Sequence, residues 1–413
     1  MNNSLVWQRR VLSNGLRFLY LKRPLANTAQ LSVVIEYGST NETESETGVA
    51  HFLEHMLAGG SEERIQKSRS IENYGGRSDF STDRECTISS VDVLPESLPY
   101  VAQILSELLF DKNFDEEKFV LEREIILRER ADDLDDPKSL IEDLLLKNLF
   151  KNHPVSRPIV GYPKTLNKLT LQQLKTIHKT AYIPQNMILI LTGNLSDNQI
   201  QKVLNPFEDK PKQQKNNPTI QSPTKNSKPT KNVTKHMKDI NQTFLNIGTK
   251  TINTQNVDTP KLDLISRILG GGDNSRLFIE LREKRALTYD VSVTHCSGLD
   301  FGYLSIGCAV KNVNVTKTQK LIFNELDKLR DEKISEEELE RNKKLVLSDI
   351  LREIDNTDKC HDILATMEIH FNHEKALTDY IDKISAITTT DILNAAQTYL
   401  QKDNFTTAIL KPK

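Results

Sequence analysis

His51, Glu54 and His55 form an HxxEH pattern, the inverted form of the HExxH zinc signature. On an α-helix, positions i and i+4 lie one turn apart on the same face, so both imidazoles can reach one metal ion. Glu54 precedes the second histidine, where its carboxylate can stand beside a zinc-bound water and accept a proton from it during attack on a carbonyl. The same residues on an ordinary helix would be surface or packing residues. The rest of the sequence has to decide between the two interpretations.

A hydrolytic zinc site needs a further ligand from a second element, because such ions usually bind three side chains and one water. The strongly helical segment 119–129 offers carboxylates for this role. Glu122 and Glu129 share one helix face, whereas Glu124 points roughly 200° away from Glu122. If Glu129 binds the metal, Glu122 lies behind it, where a carboxylate can orient a histidine.

Several motifs in one order resemble the pitrilysin-type inverzincin metallopeptidases, in the short form that includes mitochondrial processing peptidase and its bacterial relatives. The resemblance spans nearly the whole chain and rests on Asn14-Gly15-Leu16, Gly48-Val49-Ala50 before the HxxEH pattern, Gly75-Gly76, Glu122 with Glu129, Arg157-Pro158-Ile159, Tyr182 with Asn186, and residues 270–289. It implies one Zn²⁺ per subunit, held by His51, His55 and Glu129. It also implies that Glu54 is the general base and Glu122 the supporting carboxylate.

Two other segments resemble substrate-binding parts of that family. Arg282 and Tyr289 match an Arg/Tyr pair that contacts the substrate backbone and helps to stabilise the oxyanion, for which a guanidinium and a phenol are suitable donors. Taken alone, the charged run around Arg282 is typical of a solvated helix face. After Gly75-Gly76 the family adds the substrate as a strand to a sheet edge. Asp79 stands there in place of the more usual Asn and is a candidate substrate-binding residue.

Composition limits the class of protein and its compartment. At 413 residues the chain exceeds what one hydrophobic core usually organises, so two domains of about 200 residues are expected. A formal net charge of −2 argues against nucleic acid as a partner. The four cysteines lack CxxC spacing and the N-terminus lacks an apolar secretory core, which favours the reducing cytoplasm. No apolar run is long enough for membrane insertion.

The chain reads as a diverged duplication. Residues 114–119 and 334–339 each open a long amphipathic helix, and residues 169–182 and 387–399 form a second matching pair, each followed by a strand. We therefore predict an α+β fold of two similar α/β-sandwich lobes: a zinc-binding catalytic lobe at 1–207, a polar linker at 208–235 that is either a hinge or a passive tether, and a homologous lobe with the Arg/Tyr pair at 236–413. By resemblance, two subunits enclose a chamber. Since both half-sites are present, a homodimer is expected.

Two functional classes follow from these patterns. The first is a zinc-dependent endopeptidase that hydrolyses unfolded peptides or oligopeptides through a zinc-bound water and a glutamate base. The alternative is a non-catalytic scaffold or core subunit of the same fold, or one subunit of a heterodimeric processing peptidase. The complete set of metal and Arg/Tyr residues favours the enzyme. An acidic run at 132–136 is either a determinant for basic peptides or a solvated turn that starts a helix.

Overall fold

The computed structural model describes residues 7–213 and 230–413. The strands are β1 (Gln8–Val11), β2 (Arg17–Lys22), β3 (Ala29–Ile35), β4 (Arg77–Thr82), β5 (Thr87–Val93), β6 (Met187–Gly193), β7 (Asn232–Met237), β8 (Thr243–Lys250), β9 (Val291–Ser297), β10 (Gly302–Val310) and β11 (Thr406–Pro412). The α-helices are α1 (Val49–Gly59), α2 (Glu62–Ser70), α3 (Leu98–Phe110), α4 (Glu116–Asp135), α5 (Pro137–Phe150), α6 (Pro163–Leu166), α7 (Leu171–Ala181), α8 (Asp197–Glu208), α9 (Thr259–Gly270), α10 (Val315–Asp331), α11 (Glu336–Asp355), α12 (Thr357–Phe371), α13 (Ala376–Ala386) and α14 (Thr389–Tyr399).

Two compact units share these elements, and neither unit is one continuous stretch of chain. The described residues of the first unit are 7–131, 157–213 and 353–377, and those of the second are 132–156, 230–352 and 378–413. Segment 132–156 belongs to the second unit although the chain on both sides of it belongs to the first. Segment 353–377 belongs to the first unit although the chain on both sides of it belongs to the second. The predicted division into two continuous lobes did not include this exchange of short segments. The predicted linker falls largely on residues 214–229, outside the described residues, and its boundaries stay a prediction.

The first unit is built on a sheet whose described strands run in the order β1-β2-β6-β3-β5-β4. Strands β2 and β6 are parallel and the other neighbouring pairs are antiparallel. Every residue of β3 is buried, because alternate side chains face opposite layers. Leu31 and Val33 enter the core with α1 and α3, whereas Ser32 meets α12. This sheet is the support against which the HxxEH helix packs.

Helix α12 covers the other face of that sheet. His361 sits in its middle, fully buried, with Nδ1 2.7 Å from Ser32 Oγ and Nε2 3.0 Å from Thr192 Oγ1. Near its C-terminal end the buried carboxylate of Glu368 accepts hydrogen bonds from Arg9 at 2.9–3.1 Å. Paired burial of this kind satisfies the polar groups and fixes the helix on the strands.

The second unit repeats the arrangement of the first. Its described strands run in the order β7-β11-β8-β10-β9, again with one parallel pair, β7 with β11, followed by antiparallel neighbours. Helices α7 and α14 precede the equivalent strands β6 and β11, and each begins with a threonine N-cap in a capping box. Helix α5 packs on β8 and β11. The predicted α+β fold of two similar lobes is confirmed.

Candidate functional site

Helix α1 presents the HxxEH side chains because its apolar residues are buried on the other side. Phe52, Leu53 and Met56 are fully buried in the core of the first unit. Each such side chain stabilises the helix by roughly 1.5–3 kcal/mol through burial. The remaining face carries the two histidines and Glu54, so packing sets their direction.

A buried carboxylate holds the start of α1. Helix α1 begins after Gly48, whose φ of 97° is left-handed and whose Cβ, if present, would lie 2.8 Å from Gly161 Cα. Glu42 accepts hydrogen bonds from Gly48 N at 2.9 Å and Ala50 N at 2.8 Å, and thereby satisfies two N–H groups at the helix start. Arg157 in turn donates to the Glu42 backbone oxygen. Sequence reasoning did not assign Glu42 a role; a carboxylate six residues before Gly48 was its only signal.

Helix α4 brings the second set of carboxylates. Phe119 and Ile126 are buried and fix the helix, while Glu122 and Glu129 face α1. Gly59, the last residue of α1, leaves space for Glu122: a Cβ there would lie 2.3 Å from Glu122 Oε1. The predicted helical segment is confirmed, with both carboxylates on one face.

His51, His55 and Glu129 converge on one point. His51 Nε2 lies 3.6 Å from Glu129 Oε1, and His55 Nε2 lies 3.6 Å from Glu129 Oε2. These distances are longer than hydrogen bonds, and they approach the separation of about 3.3–3.5 Å between donor atoms on one tetrahedral zinc ion. In the described part of the chain, this is the one His/Cys/Asp/Glu group arranged to bind a metal, with its donor atoms within 4.8 Å of one another. The donor set and its spacing fit zinc.

Glu122 fixes the tautomer of His55. The His55 Nδ1–H donates to Glu122 Oε2 at 3.0 Å, so that in the neutral ring the lone pair of Nε2 is directed toward Glu129 and the candidate metal position. His51 differs, because its Nδ1 is buried without a hydrogen-bond partner in the described residues. Its ring contacts the His55 ring edge to face, with centroids 4.7 Å apart. Packing therefore holds one imidazole, and a carboxylate holds the other.

The two imidazoles have opposite pKa shifts. Burial lowers the pKa of His51 to about 4, against the attraction of Glu129. Burial would also lower the pKa of His55, but the hydrogen bond to Glu122 and the nearby carboxylate of Glu129 outweigh it and raise the pKa to about 9. A metal ion requires neutral imidazoles, so it would compete with a proton on His55.

Glu54 stands beside the ligand cluster. Its Oε2 lies 3.7 Å from His51 Nε2 and accepts a hydrogen bond from Thr82 Oγ1 at 3.2 Å. Burial raises the pKa of Glu54 to about 7, against the effects of His55 and Thr82. A carboxylate with a pKa near neutrality is a suitable proton acceptor, and a nearby cation would lower that pKa. Thr82 was missed as a site residue, because only tertiary contact places the end of β4 on α1.

Asp79 lies on β4, the edge strand of the first sheet, with no further strand beyond it among the described residues. Its side chain is exposed, and its charge is one of the contributions that raise the pKa of Glu54. The acidic run at 132–136 ends in a structural role, because Asp136 caps α5 by accepting a hydrogen bond from Ser139 N at 2.8 Å. That contact agrees with the interpretation of a turn that starts a helix.

Arg282 and Tyr289 are neighbours within the second unit. Arg282 lies in a π-helical turn (Phe278–Glu283), and its guanidinium carbon is 4.6 Å from the centroid of the Tyr289 ring. Three residues after this turn, Ala286 has a left-handed φ of 47° and its N–H donates a hydrogen bond to Arg282 O. The phenol is 81% exposed. Tyr289 thus stands out from the surface with a guanidinium stacked on its ring.

Two family models match most of the chain. Residues 17–162 match the model described as insulinase (peptidase family M16), and residues 168–346 match that of the peptidase M16 inactive domain. The chain belongs to peptidase family M16. This M16 chain has its metal cluster within the first match and the Arg/Tyr pair within the second.

Known relatives match 98% of the M16 chain. It is 26% identical to the uncharacterized zinc protease YmxG of Bacillus subtilis, with 98% of both chains covered. A protease from Helicobacter pylori has the same fold, with a TM-score of 0.90, 22% identity and coverage of 98% of this chain and 99% of that one. A chain of complex III2 from Candida albicans also shares it, with a TM-score of 0.83, 15% identity and coverage of 98% and 95%. At under 25% identity, these two solved structures show the fold alone.

Proposed function

We propose that this protein is a zinc-dependent endopeptidase that hydrolyses unfolded peptides or oligopeptides. The convergence of His51, His55 and Glu129, with Glu54 directly beside them, is the observation that supports it most. A scaffold has no use for such a cluster. The relatives named zinc proteases add support from outside the chain.

The roles of the residues follow from their positions. His51, His55 and Glu129 would hold one zinc ion per subunit, which when bound supplies Lewis acidity and lowers the pKa of a coordinated water. Glu54 accepts the proton from the attacking water and passes it to the leaving amine. Glu122 keeps His55 in the tautomer that presents Nε2.

Substrate contacts are proposed on two surfaces. The exposed edge of β4, which carries Asp79, suits a peptide that binds as an added strand through backbone hydrogen bonds. Arg282 and Tyr289 are donors suited to the carbonyl that gains charge during attack. Backbone recognition of this kind requires an extended chain, which is why unfolded peptides are the proposed substrates.

We also propose that the enzyme is a homodimer, in which the first unit of one subunit works with the second unit of its partner. The motifs for both half-sites occur in one chain, so identical subunits suffice. A cytoplasmic location agrees with the free thiols of the four cysteines. In the described residues, no helix combines the length and apolar character needed to cross a bilayer.

The deciding experiment compares the wild type with Glu54→Gln. Bound zinc is measured by elemental analysis, and hydrolysis is measured with a quenched fluorescent peptide library. The variant should keep its zinc and lose cleavage by several orders of magnitude, because a proton acceptor and not a ligand is removed. Equal turnover in the two proteins would show that the base is misassigned.

A second candidate, a scaffold subunit, is favoured only by the similarity of fold to the complex III2 chain. The same experiment separates the two. A scaffold would show neither stoichiometric zinc nor hydrolysis in the wild type, whereas an obligate heterodimeric peptidase would bind zinc and cleave only after its partner is added.

A further inference from the structure

The second unit contains a cationic cavity beside Tyr289. Its volume is about 610 Å³, and the charged side chains that line it are Arg282, Arg285, Lys311 and Lys317. None of the described residues that line it is acidic. We call this space the cationic cavity. In a chain with a net charge of −2, four cations around one cavity are a local excess of positive charge.

These four cations differ in the groups that contact them. Arg285 pairs with Glu280 at 2.7 Å, and Arg282 is stacked against Tyr289. Lys311 and Lys317 are exposed, and within the described part of the chain neither has a carboxylate within 4 Å. Two ammonium groups without a carboxylate partner among the described residues can be satisfied by an anion that enters the cavity.

Tyr289 separates this cavity from a second one. The neighbouring cavity, of about 550 Å³, lies over strands β8, β9 and β10 and has aromatic walls from Phe244 and Tyr303. Both cavities include Gln242, Thr288 and Tyr289 in their linings. A peptide lying across Tyr289 would therefore place neighbouring side chains in two chemically different spaces.

We propose that the cationic cavity selects peptides that carry a carboxylate on one side of the bond to be cleaved. This proposal rests on the proposed function, because it assumes that the Arg282/Tyr289 surface contacts the peptide. Carboxylates are the anions that peptides offer, either as acidic side chains or as a free C-terminus. Arg282 and the lysines provide the N–H donors that such groups bind.

The test measures binding and not cleavage, using the full-length Glu54→Gln protein. Three capped fluorescent peptides differ only in a short run of Glu, Gln or Lys, placed in separate versions before or after a common central sequence. A fourth peptide is the Gln version with a free C-terminal carboxylate. Dissociation constants come from fluorescence anisotropy at low salt and at about 0.3 M salt, where exposed charges are largely screened.

For one of the two positions of the run, before or after the central sequence, the Glu peptide should bind about tenfold more tightly than the Gln peptide. This difference in affinity should shrink at high salt. In Lys311→Gln/Lys317→Gln the preference should fall below about twofold. Lys320→Gln is the matched control, because this exposed lysine lies on α10 like Lys317 but does not line the cavity. The substitution should leave the preference for the Glu peptide unchanged. A gain from the free C-terminus alone, lost in the double variant, would identify the terminal carboxylate as the bound group.

Equal binding of the Glu peptide, the Gln peptide and the Gln peptide with a free C-terminus would overturn the proposal, and so would a preference that survives in the double variant. Failure of the proposed function looks different. In that case the wild type would cleave none of the peptides, while the charge preference in binding could still be measured and removed by the lysine substitutions.

Discussion

Replacing Glu122 by Gln should separate two effects of this carboxylate on His55, the hydrogen bond to the ring and the rise in the pKa of the ring. The carboxylate accepts the hydrogen bond from His55 Nδ1 at 3.0 Å, and it is one of the groups that raise the pKa of His55 to about 9. Glutamine has nearly the same shape and can still accept a hydrogen bond, but it carries no charge. Glu124→Gln is the matched control, because Glu124 is exposed on the same helix and points away from the site.

The expected effect on zinc affinity depends on pH. In the wild type at pH 7, zinc must displace a proton from a group whose pKa is about 9, which costs about 2.7 kcal/mol, or roughly 100-fold in apparent affinity. Glu122→Gln removes much of this competition as the pKa of His55 falls toward its usual value. The variant also loses the support of a ligating histidine, which typically costs about 10- to 100-fold. The two effects oppose each other at pH 7, whereas only the loss remains at pH 9.

The raised pKa of His55, which weakens zinc binding at pH 7, should stabilise the metal-free protein. Because the folded pKa of His55 is raised above the usual 6.5, its contribution to stability is fully present below pH 6.5 and is lost as the pH rises through about 9. Its size is on the order of 1–3 kcal/mol. The metal-free wild type should therefore lose melting temperature from pH 6.5 to 9, and Glu122→Gln should lose less of it.

Calorimetric zinc titrations at pH 7 and pH 9, each in two buffers of different ionisation enthalpy, give both the affinity and the protons released. The variant should bind zinc about 10- to 100-fold more weakly than the wild type at pH 9, and the two should be closer at pH 7. It should release fewer protons at pH 7. If Glu122→Gln and Glu124→Gln behave alike at pH 9, then the contact between Glu122 and His55 does not support the site.

Three further outcomes are expected. Glu42→Ala leaves two buried N–H groups at the start of α1 unpaired, so it should lower the free energy of unfolding by about 2–4 kcal/mol and reduce zinc retention, while the exposed Glu44→Ala should not. Mixing inactive Glu54→Gln and Tyr289→Phe proteins should restore about a quarter of wild-type activity if each site combines two subunits; no recovery after subunit exchange would exclude such a site. Adding zinc to chelator-treated protein at about 100 times its dissociation constant should stabilise it by about 2.7 kcal/mol, and a stabilisation of equal size in His51→Ala would show that the ion binds elsewhere.

Much of the candidate site was accessible from spacing alone. His51, Glu54 and His55 are local in sequence, and helical geometry places them on one face whatever surrounds the helix. The same geometry separates Glu122 and Glu129 from Glu124. The helices that open at 114–119 and 334–339, and the strands that follow 169–182 and 387–399, could be predicted because apolar periodicity acts over a few residues.

The tertiary structure decided what depends on contacts between distant segments. Glu42 at the start of α1, Thr82 beside Glu54, and the exchange of α5 and α12 between the units have no local pattern that would reveal them. The cationic cavity likewise joins Arg282 to Lys311 and Lys317, although strands β9 and β10 separate Arg282 from the two lysines in the sequence.

The sequence by itself therefore determined which side chains of α1 and α4 share a helix face, because that follows from short-range helical geometry, and the family resemblance implied their roles. Only the tertiary structure decided how strongly each group is perturbed. The pKa of His51 falls while that of His55 rises, although the two rings are one helical turn apart. Burial and the position of Glu122 make that difference, and both arise only when α4 packs against α1.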